Sequence, residues 1–515
     1  MPNQDIARAL RYHNGTKHPA GFLMNPSHRY SYEMEPLKQK IYLNLPVIEL
    51  PEPPSNSEQP ALAVLESSLP AGSSSQSLNK TVLTGLLHYS AGITKRINYP
   101  RLGEVPFRAA ACTGALYHIE LYLVCAELED LAAGVYHYDP LGHGLTRLRQ
   151  GDYRQILLNA SAAHPALAQA QAVIIYTDMP IRNAVKYQAR EYRHAFWDSG
   201  TILANSLALT VGMGLPAELV LGFEDAQVND LLGMNGRDEF ALALLPVGSV
   251  QPPPPDVPLP LPKLNLQTKP VTALRMDLST IQDFHQASSL ENQDQVAGWR
   301  LTPTEPDPRP GLPRPVGELF ELPKETAKYY PDPLADVIQR RGSTRQFSHA
   351  KIEIDQLGAA LYRAYQPLPA DFVARPDGWL TQAYLIVNAV GGLPNGAYVY
   401  HPNRHALEMI AHADLRNTAG FLALGQDLGR DASASIYFLT RLDPILERFG
   451  NRGYRAAQLD ASLRAGRIYL AAYAMQFGAS GLTFYDDEVT NFFSPHAAGK
   501  SVMFLIALGH RAARE

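Results

Sequence analysis

Residues 121–140 read LYLVCAELEDLAAGVYHYDP, and residues 383–402 read AYLIVNAVGGLPNGAYVYHP. Laid over one another at a separation of 262, they align Tyr122 with Tyr384, Gly134 with Gly396, Tyr136 with Tyr398, Tyr138 with Tyr400 and Pro140 with Pro402. The same separation carries Tyr192-Arg193 onto Tyr454-Arg455, Asp198 onto Asp460, and Glu224-Asp225 onto Asp486-Asp487. One offset held over so long a stretch marks an internal repeat. RYHNGTKH (11–18) has a weaker echo in DFHQASSL (283–290), at a separation of 272.

Both copies show the same succession of patterns. Apolar and aromatic residues alternate on either side of a Gly or Asn-Gly turn, as in LYLVCA…GVYHYDP and YLIVNAV…NGAYVYHP, which predicts a β-hairpin. Residues 190–213 and 452–477 read as long apolar helices, and FALALLPVG (240–248) and VMFLIALG (502–509) as core strands closing each unit. Antiparallel strands with segregated helices, present twice, predict an α+β fold whose two like units pack as an intramolecular pseudo-dimer with a large interface. Two independent tandem domains are the alternative. Proline crowds QPPPPDVPLPLPK (251–263) and TPTEPDPRPGLPRP (302–315), which disfavours helix and central strand. The expected division is therefore a first unit over 1–250, a connector and wrapping arm over 251–330, and a second unit over 331–515.

The 515 residues are 46% hydrophobic and 18% charged, with mean hydropathy −0.17, the balance of a soluble globular protein. A net charge of −5 and a pI near 6.4 argue against a nucleic-acid groove. The polar start and the lack of a long apolar run predict no membrane segment and a cytoplasmic location. Two cysteines, Cys112 and Cys125, exclude a disulfide framework. Sixteen histidines without HExxH or Cys/His ligand spacing read as surface or capping residues, and no metal is expected.

YHNGTKH near the start, RAAACTGALYHIELYLV (108–124), GVYHYDP (134–140), KYQAREYR (186–193) and LGFEDAQVNDLLG (221–233) together resemble the SagB-type dehydrogenases of the nitroreductase superfamily, which oxidise azoline rings in modified peptides. The resemblance implies an α+β dimer with FMN across the subunit interface, here fused into two tandem nitroreductase-like domains. RRGSTRQF (340–347) looks like the family's arginine-rich segment at the head of a helix. That likeness assigns Arg340, Arg341, Ser343 and Arg345 to the FMN phosphate and ribityl chain, tasks that suit the planar, always-charged guanidinium. Arg511 resembles a C-terminal basic residue that reaches the same phosphate, and Thr483 joins the cofactor-binding candidates. The first unit's corresponding region, LPAGSSSQSLNK (69–80), has no arginine.

ACTGAL (111–116) resembles the family's Pro-Ser-x-Gly loop under the flavin ring, where a small residue lets backbone N–H groups approach closely. Arg108, Cys112, Thr113 and Gly114 are thus cofactor-binding candidates. Ala111-Cys112 replaces the usual Pro-Ser, leaving Thr113 as the available hydroxyl. Lys186-Tyr187 matches the catalytic Lys-Tyr pair of azoline dehydrogenases, whereas the second unit carries Arg448-Phe449. A lysine with a lowered pKa is a competent base for a carbon-bound proton, and tyrosine can relay one. The arginine cluster in one unit and the Lys-Tyr pair and glycine loop in the other make one composite site, expected to hold one FMN and a small-molecule or peptide substrate. The chain is expected to be active as a monomeric pseudo-dimer, with further homodimerisation open. The alternative functions are an NAD(P)H-dependent nitro- or flavin-reductase and a non-catalytic pseudo-dimer that binds a partner.

Overall fold

The computed structural model describes residues 2–21, 35–54, 59–67, 77–100, 103–249, 253–258, 260–300, 315–374 and 378–513. Each repeat builds one antiparallel sheet. In the first, neighbouring strands run in the order Val47–Glu49, Gly144–Gln150, Gly134–Asp139, Ile119–Cys125, Ala172–Asp178 and Phe240–Val247. In the second the order is Gly478–Leu482, Ser501–Gly509, Ala434–Thr440, Gln382–Val387, Gly396–His401, Ala406–His412 and Leu319–Glu321. Both predicted hairpins pair, with Tyr122 opposite His137 and Tyr384 opposite Val399. The central strands are buried along their whole length, which is why they read as near-continuous apolar runs.

The long helices Glu191–Gly212 and Arg452–Ala474 pack against each other through the middle of the molecule. Small residues permit their approach: a Cβ on Gly200 would lie 1.8 Å from Ser462 Oγ, and one on Gly466 2.5 Å from a side-chain carbon of Ala204. Trp197 Nε1 donates to Gln458 Oε1 at 2.7 Å, and Ser462 Oγ to the Phe196 carbonyl at 2.8 Å, across this seam. The second helix stops short of 477 because Gln476 takes a φ of +66° and Phe477 N turns back to the Ala472 carbonyl.

Buried acids exchange partners between the units. Asp225 accepts from Arg452 and Arg455 at 2.6 and 2.9 Å, and Asp486 accepts from Arg190 and Arg193 at 2.9 and 2.6 Å. Arg190 and Arg193 become Arg452 and Arg455 at the repeat offset, so the contact is reciprocal, as in an isologous dimer. The weak echo is structural as well. Helices Ala7–Gly15 and Ser279–Ala287 meet with Tyr12 stacked on Phe284 at 4.5 Å, while Thr16 Oγ1 and Ser288 Oγ accept from Arg193 Nε and Arg455 Nε. One hydrophobic core includes residues of both units, so they are not independent tandem domains.

Two expectations change. The region read as connector also holds helices Ser279–Ala287 and Gln293–Trp299 and the edge strand Leu319–Glu321, because its proline-free part places Ile281, Phe284, Val296 and Trp299 toward the core. Histidines are not chiefly superficial: His13, His118, His137, His194, His285 and His401 are buried, several of them against carboxylates such as Glu120 and Glu408. No helix among the described residues is long and apolar enough to cross a membrane.

Candidate functional site

A cavity of about 510 Å³ opens between the units. The first unit lines it with a hairpin, Ile93–Tyr99 and Gly103–Arg108, that stands apart from the main sheet, and with part of the following loop. The second unit contributes Arg341, Gly342, Ser343, Arg345, Gln346 and Arg511. Its described lining includes the cations Lys95, Arg108, Arg341, Arg345 and Arg511 and no carboxylate.

Chain path explains this concentration. Ser348 N donates to the His510 carbonyl and Ala512 N to the Gln346 carbonyl, so a short ladder brings the exposed Arg345 and Arg511 to the same cavity. Arg341 is buried, donating from Nε to the Ala109 carbonyl at 2.8 Å and from Nη2 to that of Arg108 at 3.2 Å. An arginine of one unit thereby fixes the loop of the other. Arg108 itself donates to the carbonyls of Ile119 and Lys38, and Ser343 Oγ lies 3.4 Å from Tyr469 Oη.

Arg340 turns away, pairing with Asp332 at 2.6 Å and donating to the Tyr473 carbonyl. The arginine segment also does not head a helix. It leaves the C-terminal end of Leu334–Arg340 through the extended Arg341, so helix N-terminal donors are not available to it and anion binding falls to side chains. Thr483 is outside the cavity lining, with Oγ1 3.4 Å from His18 Nδ1.

Asp198, on the first long helix, anchors the glycine loop. It accepts from Thr113 N at 2.9 Å, Thr113 Oγ1 at 2.8 Å and Cys112 Sγ at 3.0 Å. Cys112 lines the cavity, and burial followed by the Asp198 charge pushes its thiol well above the usual range. The Thr113 hydroxyl is engaged by Asp198 and is not in the lining, which corrects its expected role. Gly114 has a φ of +64°, and a Cβ there would stand 2.9 Å from Tyr187 Oη, so both backbone and packing require glycine.

Lys186 and Tyr187 end the helix Ile181–Tyr187 and lie beside the cavity rather than in its lining. Lys186 Nζ sits 5.3 Å from the Tyr187 ring centroid. Burial lowers the lysine below its usual pKa; Glu35 opposes this and Arg345 of the other unit adds to it. Burial, then Asp198 and Cys112, hold Tyr187 as a phenol. Sequence reading overlooked the hairpin, although the alternation in ITKRINY (93–99) signals it, and found Asp198 only as a repeat position.

The second unit carries different side chains at the equivalent position. Adding 262 turns Tyr117 into Trp379 and Ile202 into Arg464. Arg464 donates to the Ala364 and Gly378 carbonyls at 3.0 Å, binds Asp460 at 2.9 Å, and stands 4.6 Å from the Tyr365 ring centroid.

The fold and this inter-unit cavity define an α+β, nitroreductase-like pseudo-dimer. The chain contains a nitroreductase family domain, matched over residues 80–249, and oxidoreductase is the general activity it supports. A solved structure from Anabaena variabilis, named as a nitroreductase, is 27% identical, with 98% of this chain and 99% of that one covered and a TM-score of 0.77. MJ1384 of Methanocaldococcus jannaschii, also named as a nitroreductase, is 26% identical over 161 residues, 30% of this chain and 81% of that protein. The trifolitoxin-processing protein TfxB of Rhizobium leguminosarum bv. trifolii is 28% identical over 180 residues, covering 32% and 46%. The microcin B17-processing protein McbC of Escherichia coli is 26% identical over 142 residues, covering 27% and 52%. The chain thus spans about half the length of the two processing proteins.

Proposed function

We propose that the chain is an FMN-dependent oxidoreductase of the azoline-to-azole dehydrogenase type, acting on a peptide-derived or small heterocyclic substrate. Units 1–250 and 331–515, joined by 251–330, build its single site. The observation that carries this reading is the composite cavity, with arginines of one unit facing the glycine loop and the Lys186-Tyr187 helix end of the other. The residues fit FMN: Arg345 and Arg511 offer exposed cations for a phosphate, Arg341 and Ser343 line the approach, and Gly114 keeps the loop thin. Bound FMN would supply hydride acceptance. Lys186, whose burial favours the neutral amine, takes the carbon-bound proton, and Tyr187, still a phenol, orients or relays it. Two relatives named for processing trifolitoxin and microcin B17 support a peptide-derived substrate.

The full-length likeness to the Anabaena protein favours a second reading, reduction by NAD(P)H of a nitro compound or free flavin. Stopped-flow absorbance separates them. Lys186→Ala should stay yellow yet slow substrate-dependent flavin reduction by about 10²–10⁴-fold with an azoline surrogate. Parent-rate reduction in that variant overturns the lysine's role, and rapid reduction of the unaltered protein by NAD(P)H selects the second reading.

A further inference from the structure

Beneath the glycine loop lies a buried group of ionisable side chains that the reading above does not use. Pairing of the strands Ile119–Cys125 and Ala172–Asp178 sets His118, just before the one, beside Asp178 at the end of the other. Glu191 and Asp198 meet them from the long helix Glu191–Gly212, at a spacing of two helical turns. His118 is fully buried, with Nε2 2.8 Å from Asp198 Oδ2, and Nδ1 2.7 Å from Asp178 Oδ1 and 3.2 Å from Glu191 Oε1. Nδ1 serves Asp178, which leaves both oxygens of Glu191, and Asp178 Oδ2, buried without a hydrogen-bond partner. Among the described residues, no lysine or arginine pairs with Asp178, Glu191 or Asp198. Three acids therefore share one imidazole in a wholly buried place, where unpaired charge is costly. Burial and then Asp178 raise Glu191 far above the carboxylate range, the response of an acid short of a cation.

The repeat supplies an internal control. At the offset of 262, Asp198 persists as Asp460, which anchors its own loop by accepting from Thr381 N at 2.9 Å and Thr381 Oγ1 at 2.6 Å. There Arg464 meets the charge at 2.9 Å. The first unit carries Ile202 at the arginine's position, so that cation is absent from its group. It has instead three side chains able to ligate a metal: His118, Asp178 and Glu191 stand where the second unit has Leu380, Thr440 and Gly453. One ligand atom from each of the three lies within 4.8 Å of the others.

We propose that His118 Nδ1, Asp178 and Glu191 bind one divalent first-row transition ion, with Asp198 orienting the histidine. The donor set fits: an imidazole nitrogen suits zinc and its neighbours, and selects against magnesium and calcium, which prefer oxygen alone. Asp198, by accepting from Nε2, fixes the tautomer that frees Nδ1 for a metal, as a carboxylate behind a ligating histidine does. Metal–ligand bonds of about 2.0–2.2 Å put neighbouring donors about 3 Å apart, and the contacts at 2.7 and 3.2 Å lie close to this. The unpartnered oxygens of Asp178 and Glu191 supply further positions. On binding, the ion displaces to solvent the protons that Nδ1 and Glu191 otherwise hold, so the net charge of the group is unaltered while its bare oxygens gain a partner. Cys112 is not a ligand, because its thiol donates to Asp198 across the other ring nitrogen. The ion's task is structural. It ties the two strand ends to the long helix and, through Asp198, to the glycine loop, whether or not the cavity binds FMN.

The test uses the full chain, expressed in minimal medium supplemented with Zn²⁺ or with Mn²⁺, and counts bound metal by plasma mass spectrometry. About one ion per chain is expected with at least one of the two, together with a higher thermal midpoint than that of protein from metal-depleted medium. Asp178→Asn and Glu191→Gln should each lower the retained metal about tenfold or more. X-ray absorption of the loaded parent should show a single imidazole with oxygen donors and no sulfur, and it decides the matter should both variants fail to fold. Less than about a tenth of an ion per chain in both media overturns the proposal, since a buried structural site retains its metal through purification. A sulfur donor, or undiminished metal in both variants, overturns it as well.

Discussion

Asp225→Asn probes the joint between the two units. Asp225 is the buried first residue of the helix Asp225–Leu232, and its carboxylate meets Arg452 and Arg455 of the other unit at 2.6 and 2.9 Å. Burial alone would raise its carboxyl; the two arginines reverse this and hold it at about 2, against an ordinary 3.8. That depression corresponds to about 2–3 kcal/mol of stability at neutral pH. Because the folded value is the lower one, the contribution is complete above about pH 4 and is lost as pH falls through about 2. The amide should cost somewhat more, about 3–5 kcal/mol, since it leaves two buried guanidinium groups facing a neutral side chain. The lower end is favoured because Arg455 keeps Ser288 Oγ and the His285 carbonyl, and Arg452 keeps the Leu221 carbonyl. Urea unfolding followed by circular dichroism and tryptophan fluorescence at pH 7 reads the loss, provided the two transitions coincide. Repeating it between about pH 4 and pH 2 should show a shallower acid dependence in the variant. A loss below about 1 kcal/mol, or a transition confined to one probe, refutes the reciprocal interface as a stabilising contact.

Gly200→Val should destabilise the seam by about 1–3 kcal/mol or more, because its Cβ would meet Ser462 Oγ at 1.8 Å; thermal unfolding measures this. Arg345→Ala should weaken FMN binding about ten- to a hundredfold by fluorescence titration. Arg340→Ala should leave that affinity unchanged, since Arg340 serves Asp332 rather than the cavity. Flavin released by denaturation should count to one per chain, and a ratio near two would contradict a single composite site.

The fold was legible because its signals are periodic and doubled. The hairpins, the long helices and the closing strands all follow from alternation or apolar runs, and the offset of 262 ties them together. The repeated acids Glu224-Asp225 and Asp486-Asp487 were visible, but the partner exchange was not: at the offset Asp225 falls on Asp487, whereas Asp486 makes the contact, and sequence separation does not say which arginine an acid will face. The site was legible only in part. Arg341, Ser343, Arg345, Arg511, Arg108 and Cys112 do line one cavity, yet the RRGSTRQF segment follows a helix rather than heading one, and its first arginine is drawn off by Asp332. Thr113 was misread for a similar reason: a hydroxyl near a cofactor loop is also a donor for whatever carboxylate lies beneath, and Asp198 lies there. His118 gave no signal at all, since a lone histidine before an apolar strand has no spacing to betray three acids that come from a strand and a long helix.

Fusion explains why such asymmetry is possible. In a homodimer every substitution appears at both symmetry-related positions, so a change that fills one site fills the other. Once the two copies are one chain, each position of the pair is free to change alone. The second unit has used that freedom for packing: Arg464 and Trp379 occupy space whose counterparts, Ile202 and Tyr117, border the cavity region of the first unit. The first has kept buried charge that packing alone would remove, since Leu380, Thr440 and Gly453 show that the scaffold accepts uncharged residues at those places. Buried ionisable groups thus stand, against that ready alternative, in the unit whose glycine loop borders the cavity.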